Sequence, residues 1–233
     1  MSMRWAALAC DYDGTLAYRG RVRPATLAAL RRVRRSRRKL LLVTGRELDE
    51  FLSVFSRLEL FDRVVAENGA VLYDPATHKH RLLAGRPPRE LLAALRARRL
   101  EPLSIGNSIV ATSRAQQRIV SEVIDDLGLP LQVILNKSSV MVLRQGVNKA
   151  TGLMEALHEV GVAPENTVGI GDAENDEDFL ALCGHSAAVA NALPALKRKV
   201  GLVTSGRHGA GVVELVNHLL SGGLVRRRSP SPR

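Results

Sequence analysis

The chain alternates short apolar runs with longer stretches in which apolar residues recur at helical spacing. Trp5 to Cys10 is apolar and stops at Asp11, Asp13 and Gly14, as a buried parallel strand does when it enters a functional loop. Pro24 then opens a helix with Leu27, Leu30 and Val33 on one face and Arg31, Arg34, Arg35 and Arg38 mostly on the other. Leu40 to Val43 runs into Thr44-Gly45-Arg46, a helix follows with Phe51, Leu52 and Phe55 as its stripe, and Arg63 to Ala66 ends in Glu67-Asn68-Gly69-Ala70. Strand, helix, strand, helix, strand at this spacing predicts right-handed crossovers and a parallel sheet. Functional groups then belong at the carboxyl ends of the strands.

The rhythm changes after Gly85-Arg86-Pro87-Pro88. A helix over 90–98 precedes two short strands, 103–105 and 109–111, with a Gly106-Asn107 turn signal between them. A second helix, 116–127, stops at Gly128, and strands 131–135 and 140–143 flank the polar turn Asn136-Lys137-Ser138-Ser139. Helix, strand, strand, repeated once, predicts an inserted α+β module over 86–145. From Lys149 the βα order returns: a helix through Leu153 and Leu157, a strand from Thr167 into Gly171-Asp172, a helix over 174–183, strands 186–190 and 202–204, and a closing helix to Leu220. The expected organisation is a Rossmann-like, doubly wound parallel α/β core formed by 1–85 and 146–221, a small α+β cap at 86–145, and a disordered basic tail at 222–233.

Composition narrows this picture. Hydrophobic residues make up 45% of 233, enough to bury a core and to exclude a disordered chain, while 3% aromatic content argues against a β-sandwich. The net charge of +11 rests on 28 arginines against six lysines, spread over the whole chain and without a nucleic-acid reading motif. Nucleic acid is therefore not the expected partner. Cys10 and Cys183 have neither metal nor disulfide-framework spacing, and the apolar run before Cys10 is shorter than the roughly 7–15 residues of a signal h-region. A reduced, cytoplasmic setting with no membrane span is the expectation.

Candidate chemistry lies in four clusters: Asp11 and Asp13, Thr44, Lys149, and Asp172 with Asp176. Any one could be an acidic turn, a helix cap or a surface lysine. Acids gathered at strand ends repel one another unless a cation sits among them, and hard oxygen donors suit magnesium. In chain order the segments Asp11-Tyr12-Asp13-Gly14-Thr15-Leu16, Val43-Thr44-Gly45-Arg46, Gly146-Val147-Asn148-Lys149 and Gly171-Asp172-Ala173-Glu174-Asn175-Asp176 resemble the haloacid dehalogenase superfamily of phosphohydrolases. The cap pattern, Ala66-Glu67-Asn68-Gly69-Ala70 and Asn148-Lys149 resemble its class II, type B cap branch, that of Cof-type sugar-phosphate phosphatases and archaeal-type phosphoglycolate phosphatases.

The resemblance implies a Mg2+-dependent phosphoric monoester hydrolase acting on a small phosphorylated metabolite, phosphoglycolate or a sugar phosphate. It makes Asp11 the nucleophile that forms an aspartyl-phosphate, Asp13 the acid and base, and Thr15 a support for Asp13. Thr44, Gly45, Arg46, Asn148 and Lys149 would hold phosphate, and Asp11, Asp13, Asp172, Asn175 and Asp176 the metal or its waters. Asn191 is expected near the rim, whereas His78, His80, His158, His185, His208 and His218 have no metal-ligand spacing and read as surface or packing residues. A phosphomutase of the same fold, or a basic nucleic-acid-binding protein on a phosphatase scaffold, are the rival readings.

Overall fold

The computed structural model of the protein describes residues 4–224. The apolar runs become the inner strands of one sheet. β1 (Ala7–Asp11) is buried along its whole length. α1 (Pro24–Arg35) starts on a proline whose fixed φ suits a first turn and whose missing N–H would have had no partner there. β2 (Lys39–Val43), α2 (Leu48–Val54) and β3 (Arg63–Ala66) follow. The chain then doubles back through β4 (Val71–Asp74) and β5 (Lys79–Leu82), an antiparallel hairpin on the sheet edge. The hydrophobic pattern does not predict this hairpin, because Lys79, His80 and Arg81 are all exposed and carry no alternation. Such a charged edge discourages further strand pairing.

The inserted elements are α3 (Arg89–Ala97), β6 (Leu103–Ile105), β7 (Val110–Ser113), α4 (Gln117–Leu127), β8 (Leu131–Asn136) and β9 (Ser139–Arg144). The core resumes with α5 (Lys149–Val160), β10 (Thr167–Gly171), α6 (Glu177–Leu182), β11 (His185–Ala188), α7 (Pro194–Lys197), β12 (Leu202–Val203) and α8 (Gly209–Ser221). The expected helix at 174–183 divides into a tight 3-10 turn, Glu174–Asp176, and α6. Short α7 is a further element that the periodicity does not announce.

The main sheet has the order β12, β11, β10, β1, β2, β3, β4, β5, parallel from β12 to β3. α1 packs on α8, and α5 packs on α6 and against β2 and β3, so helices cover the sheet in separate pairs. The chain leaves β1 toward β2 and returns on its other side at β10, which makes the β1/β10 gap the topological switch point. Asp11 and Asp172 stand at that gap. The second sheet, β6, β7, β9, β8, is antiparallel and has its own apolar cluster, including Leu91, Leu95, Val120, Val123 and Val142. A third cluster of Ala70, Ile109, Met141 and Leu143 lies along the seam between the two units.

Of the expected 222–233 tail, residues 225–233 lie outside the described residues. Leu224 is buried, and its carbonyl accepts a hydrogen bond from Trp5 Nε1 at 3.4 Å. No helix among the described residues is long and apolar enough to cross a membrane.

Candidate active site

The turn after β1 is held from both sides. Tyr12 is buried away from the cavity against Phe51 and Phe55, ring centroids 4.9 and 5.4 Å distant, and its hydroxyl donates to Gly20 O at 3.0 Å. Gly14 follows at φ +89°, where an added Cβ would lie 2.2 Å from Asp172 Oδ2. A side chain cannot be accommodated there, so glycine is what lets the β1 turn close on the loop after β10. The Gly14 carbonyl accepts from Asn191 Nδ2 at 2.8 Å and lies 2.8 Å from His208 Nδ1, while Asn191 Oδ1 accepts from His208 N at 2.7 Å. Asp13 points its carboxylate to Arg46, whose Nε and Nη2 donate at 2.6 and 2.9 Å in a two-pronged pair.

Beneath this turn lies Lys149, buried at the first position of α5. Asn148 caps that helix: its Oδ1 accepts from Thr151 N, and Thr151 Oγ1 accepts from Asn148 N, both at 3.0 Å. Lys149 Nζ donates to Asp11 Oδ1 and to Asp176 Oδ1, each at 2.6 Å. Asp176 Oδ2 accepts from the backbone N–H groups of Asp172 and Ala173 at 2.7 and 2.9 Å, tying the β10 loop to the same lysine.

Two acids, Asp11 and Asp176, thus share one buried ammonium, while Asp172 pairs with Lys137 at 2.7 Å. Burial alone would lower the Lys149 pKa, yet the charges of Asp11 and Asp176 outweigh it and hold the ammonium above its ordinary value. Asp11 is pushed well above the usual carboxylate range by burial first, then by Asp176 and also Asp172, against the pull of Lys149. Asp172 is raised chiefly by burial as well.

One oxygen on Asp11 (Oδ2) and one on Asp172 (Oδ1) are buried without a hydrogen-bond partner. Asp11, Asp172 and Asp176 each bring an oxygen within 4.8 Å of the others. Surplus buried negative charge with unused hard oxygens fits a divalent cation such as Mg2+.

Asp11 and Asp172 form the floor of a cavity of about 370 Å³ between core and cap. Gly45, Arg46, Asp13 and Asn175 line its core side, and Ser104, Ile109, Ala111, Asn136, Lys137, Ser138, Ser139 and Met141 its cap side. Glu67 fastens one end of the cap. It is fully buried, and its carboxylate accepts from the backbone N–H groups of Asn107, Ser108 and Ile109 at 3.0, 2.6 and 3.1 Å. Glu174 fastens the other end, accepting from Arg114 Nη1 at 3.3 Å and Lys137 N at 3.2 Å.

The expected site residues therefore separate by position. Asp11, Asp13, Gly45, Arg46, Asp172 and Asn175 line the cavity; Thr44, Lys149 and Asp176 are buried just behind it. Thr44 Oγ1 accepts from Arg46 N at 3.2 Å, which leaves its own proton to donate. Asn175 Nδ2 donates to Asn68 Oδ1 at 2.8 Å, and its own Oδ1 is a buried atom with no partner.

Asn148 does not join them. Its side chain is engaged by the α5 cap and by Asp178 Oδ2 at 2.8 Å, outside the cavity. Thr15 Oγ1 makes no hydrogen bond, so the expected support of Asp13 comes from Arg46 instead. Lys137, Glu67 and His208 gain their places only in three dimensions. Lys137 and Glu67 carried a signal as a charged residue in a hairpin turn and as an acid at a strand end; His208 had none.

An acid-and-lysine centre at the switch point of a doubly wound sheet, roofed by an antiparallel cap, defines the class of a capped α/β hydrolase. The chain belongs to the haloacid dehalogenase-like hydrolases, whose family model matches residues 8–103 and 109–216. It is similar to a phosphoglycolate phosphatase of Methanothermobacter thermautotrophicus, 29% identical over 222 residues covering 92% of this chain and 98% of that protein. Among solved structures, a haloacid dehalogenase-like hydrolase from Bacteroides thetaiotaomicron superposes with a TM-score of 0.80 at 18% identity, covering 92% of this chain and 99% of that one. A subclass IIB sugar phosphatase superposes with a TM-score of 0.73 at 18% identity, covering 94% and 99%.

Proposed function

We propose that this phosphoric monoester hydrolase uses Asp11 as a nucleophile, with Mg2+ as cofactor, on a small phosphorylated metabolite: phosphoglycolate first, a sugar phosphate second. The observation that carries the reading is the pair of unpartnered buried oxygens on Asp11 and Asp172, two residues that line the cavity above Lys149. In this reading an Asp11 oxygen attacks phosphorus, the bond to the leaving oxygen breaks, and Asp13 gives that oxygen its proton. Asp13, now a carboxylate, then takes a proton from water, which attacks the aspartyl-phosphate and frees phosphate and Asp11. The Thr44 hydroxyl and Gly45 amide would hold the phosphoryl oxygens, and Lys149 would offset the charge of Asp11.

Arg46 holds the Asp13 carboxylate in a two-pronged pair. For the first step this pair must loosen, which frees the guanidinium for the arriving phosphate. Asp11, the Asp13 carbonyl and Asp172 would hold Mg2+, with Asp176 and Asn175 orienting ligands and waters around it. When bound, the ion supplies positive charge against the phosphoryl oxygens. Support for the substrate comes from the relative named phosphoglycolate phosphatase and from the small volume beneath the cap.

The test is phosphate release from a panel of phosphorylated metabolites. Phosphoglycolate is expected to turn over with Mg2+, to stop with EDTA, and to be inert with Asp11→Asn. Formation of an isomerised sugar phosphate without free phosphate would select a mutase, and no turnover of any ester by the intact protein would overturn the reading.

A further inference from the structure

We propose that Lys137 selects phosphomonoesters whose leaving alcohol carries a second negative charge, an inference that rests on the reading of Asp11 and Asp13 given above. Among the described residues lining the cavity from the cap, Lys137 is the only charged one; the others are Ser, Asn, Ile, Ala and Met. On the core side, Arg46 is already engaged by Asp13 and Glu50, and Lys149 by Asp11 and Asp176. The Lys137 ammonium, itself paired with Asp172, is the one cation among the described residues that lines the cavity from the cap.

Its position matches the leaving group. Lys137 Nζ lies 2.7 Å from Asp172 Oδ2 and would be 2.8 Å from a Cβ built on Gly14, the residue after Asp13. Asp13 and Lys137 line the same cavity, so an alcohol leaving from Asp13 stays within the space that the ammonium borders. The backbone carrying Lys137 is fixed at both ends of the residue: Lys137 N donates to Glu174 Oε2 at 3.2 Å, and Lys137 O accepts from Arg114 Nη1 at 2.8 Å.

The turn itself shows that the side chain is not there for its backbone preference. Lys137 and Ser138 form a two-residue hairpin loop between Asn136 and Ser139, and Lys137 sits at φ +49°. Glycine or asparagine suits that conformation better than lysine. The turn thus holds the Lys137 side chain over the cavity at a backbone cost that other turns of this chain, such as those at Arg37 and Arg99, also carry.

Asp172 cannot serve two cations equally. A divalent ion drawn to its carboxylate would weaken and repel the neighbouring ammonium. Lys137 then needs another anion, and a carboxylate on the leaving alcohol supplies it.

Lys137→Asn tests this without straining the fold, because asparagine tolerates the turn. For phosphoglycolate we expect kcat/KM to fall about 10–100-fold, mainly through KM, the value of a hydrogen bond to a charged group. For glycerol phosphate, whose leaving alcohol is uncharged, the change should stay within about threefold. Lys137→Arg should restore part of the selectivity. Calorimetry of phosphoglycolate binding to Asp11→Asn with Mg2+, with and without Lys137→Asn, should show the same loss of affinity without turnover. Equal losses on both esters, or no loss on either in kinetics or calorimetry, would overturn the proposal. If the wild-type protein hydrolyses neither ester, the nucleophile reading fails, and the calorimetric comparison still decides the role of Lys137.

Discussion

At the scale of single residues, the site depends on close approaches that tolerate no added atoms. Gly14→Ala places a methyl group 2.2 Å from Asp172 Oδ2 and forces a left-handed φ on alanine. Asp172 must move, and kcat/KM should fall on the order of 10²-fold, read from phosphate release with the fold checked by circular dichroism. The two cysteines give a different prediction. Burial pushes the Cys183 thiol up to about 12 from its ordinary 9.0, and Cys10 higher still through burial and the charge of Asp11. Because the folded values lie above the unfolded ones, this contribution to stability is complete below pH 9.0 and is lost as pH rises toward the folded values. The urea midpoint should fall above about pH 9, and less so in Cys183→Ala. Neither thiol should react with Ellman's reagent in the native protein at neutral pH.

At the scale of elements, α5 presents Lys149 because it lies against the loop after β3 almost without side chains between them. A Cβ on Gly152 would meet Gly69 Cα at 2.6 Å, and one on Gly69 would meet Asn148 O at 1.9 Å. Gly69→Ala should destabilise the protein by roughly 3 kcal/mol or more and displace the helix that carries Lys149, measurable as a lower urea midpoint with reduced kcat. Glu67→Ala removes the acceptor for two buried N–H groups and one half-buried one in the 106–109 turn. It should cost about 2 kcal/mol or more and raise hydrogen exchange in β6 and β7 ahead of the main sheet.

Much of this architecture was readable from the chain. Strands such as Leu40 to Val43 are apolar on both faces, and their ends collect Asp11, Thr44 and Asp172. The β4–β5 hairpin was not readable, since an exposed edge strand leaves no periodic trace. Nor was the engagement of Asn148 by a helix cap and Asp178, or the approach of His208 to Gly14, because these depend on how the ends of distant elements meet. The motif residues Asp11, Lys149 and Asp176 were named from sequence, but that Lys149 bridges Asp11 and Asp176 emerged only from the packing of α5 on α6 and against β2 and β3.

At the scale of the molecule, the acid cluster is a local reversal in a protein of net charge +11. That surrounding field favours anionic substrates, and kcat/KM should decline with ionic strength more steeply for an ester with a carboxylate tail than for a neutral-tailed one. Inside the reversal, a bound cation relieves the repulsion among Asp11, Asp172 and Asp176. Mg2+ at about 100 times its Kd should raise unfolding stability by about 2.7 kcal/mol, seen as a higher Tm that EDTA reverses and Asp172→Asn abolishes.

In the proposed reaction Asp11 takes the phosphoryl group before water does. Mixing the protein with phosphoglycolate and Mg2+, quenching in acid within the first turnover and mapping the peptides by mass spectrometry tests it most directly. A phosphoryl adduct on Asp11, absent from Asp11→Asn, is the expected result. Phosphate release with Asp11 unmodified throughout the turnover, or an adduct on another residue, would contradict it.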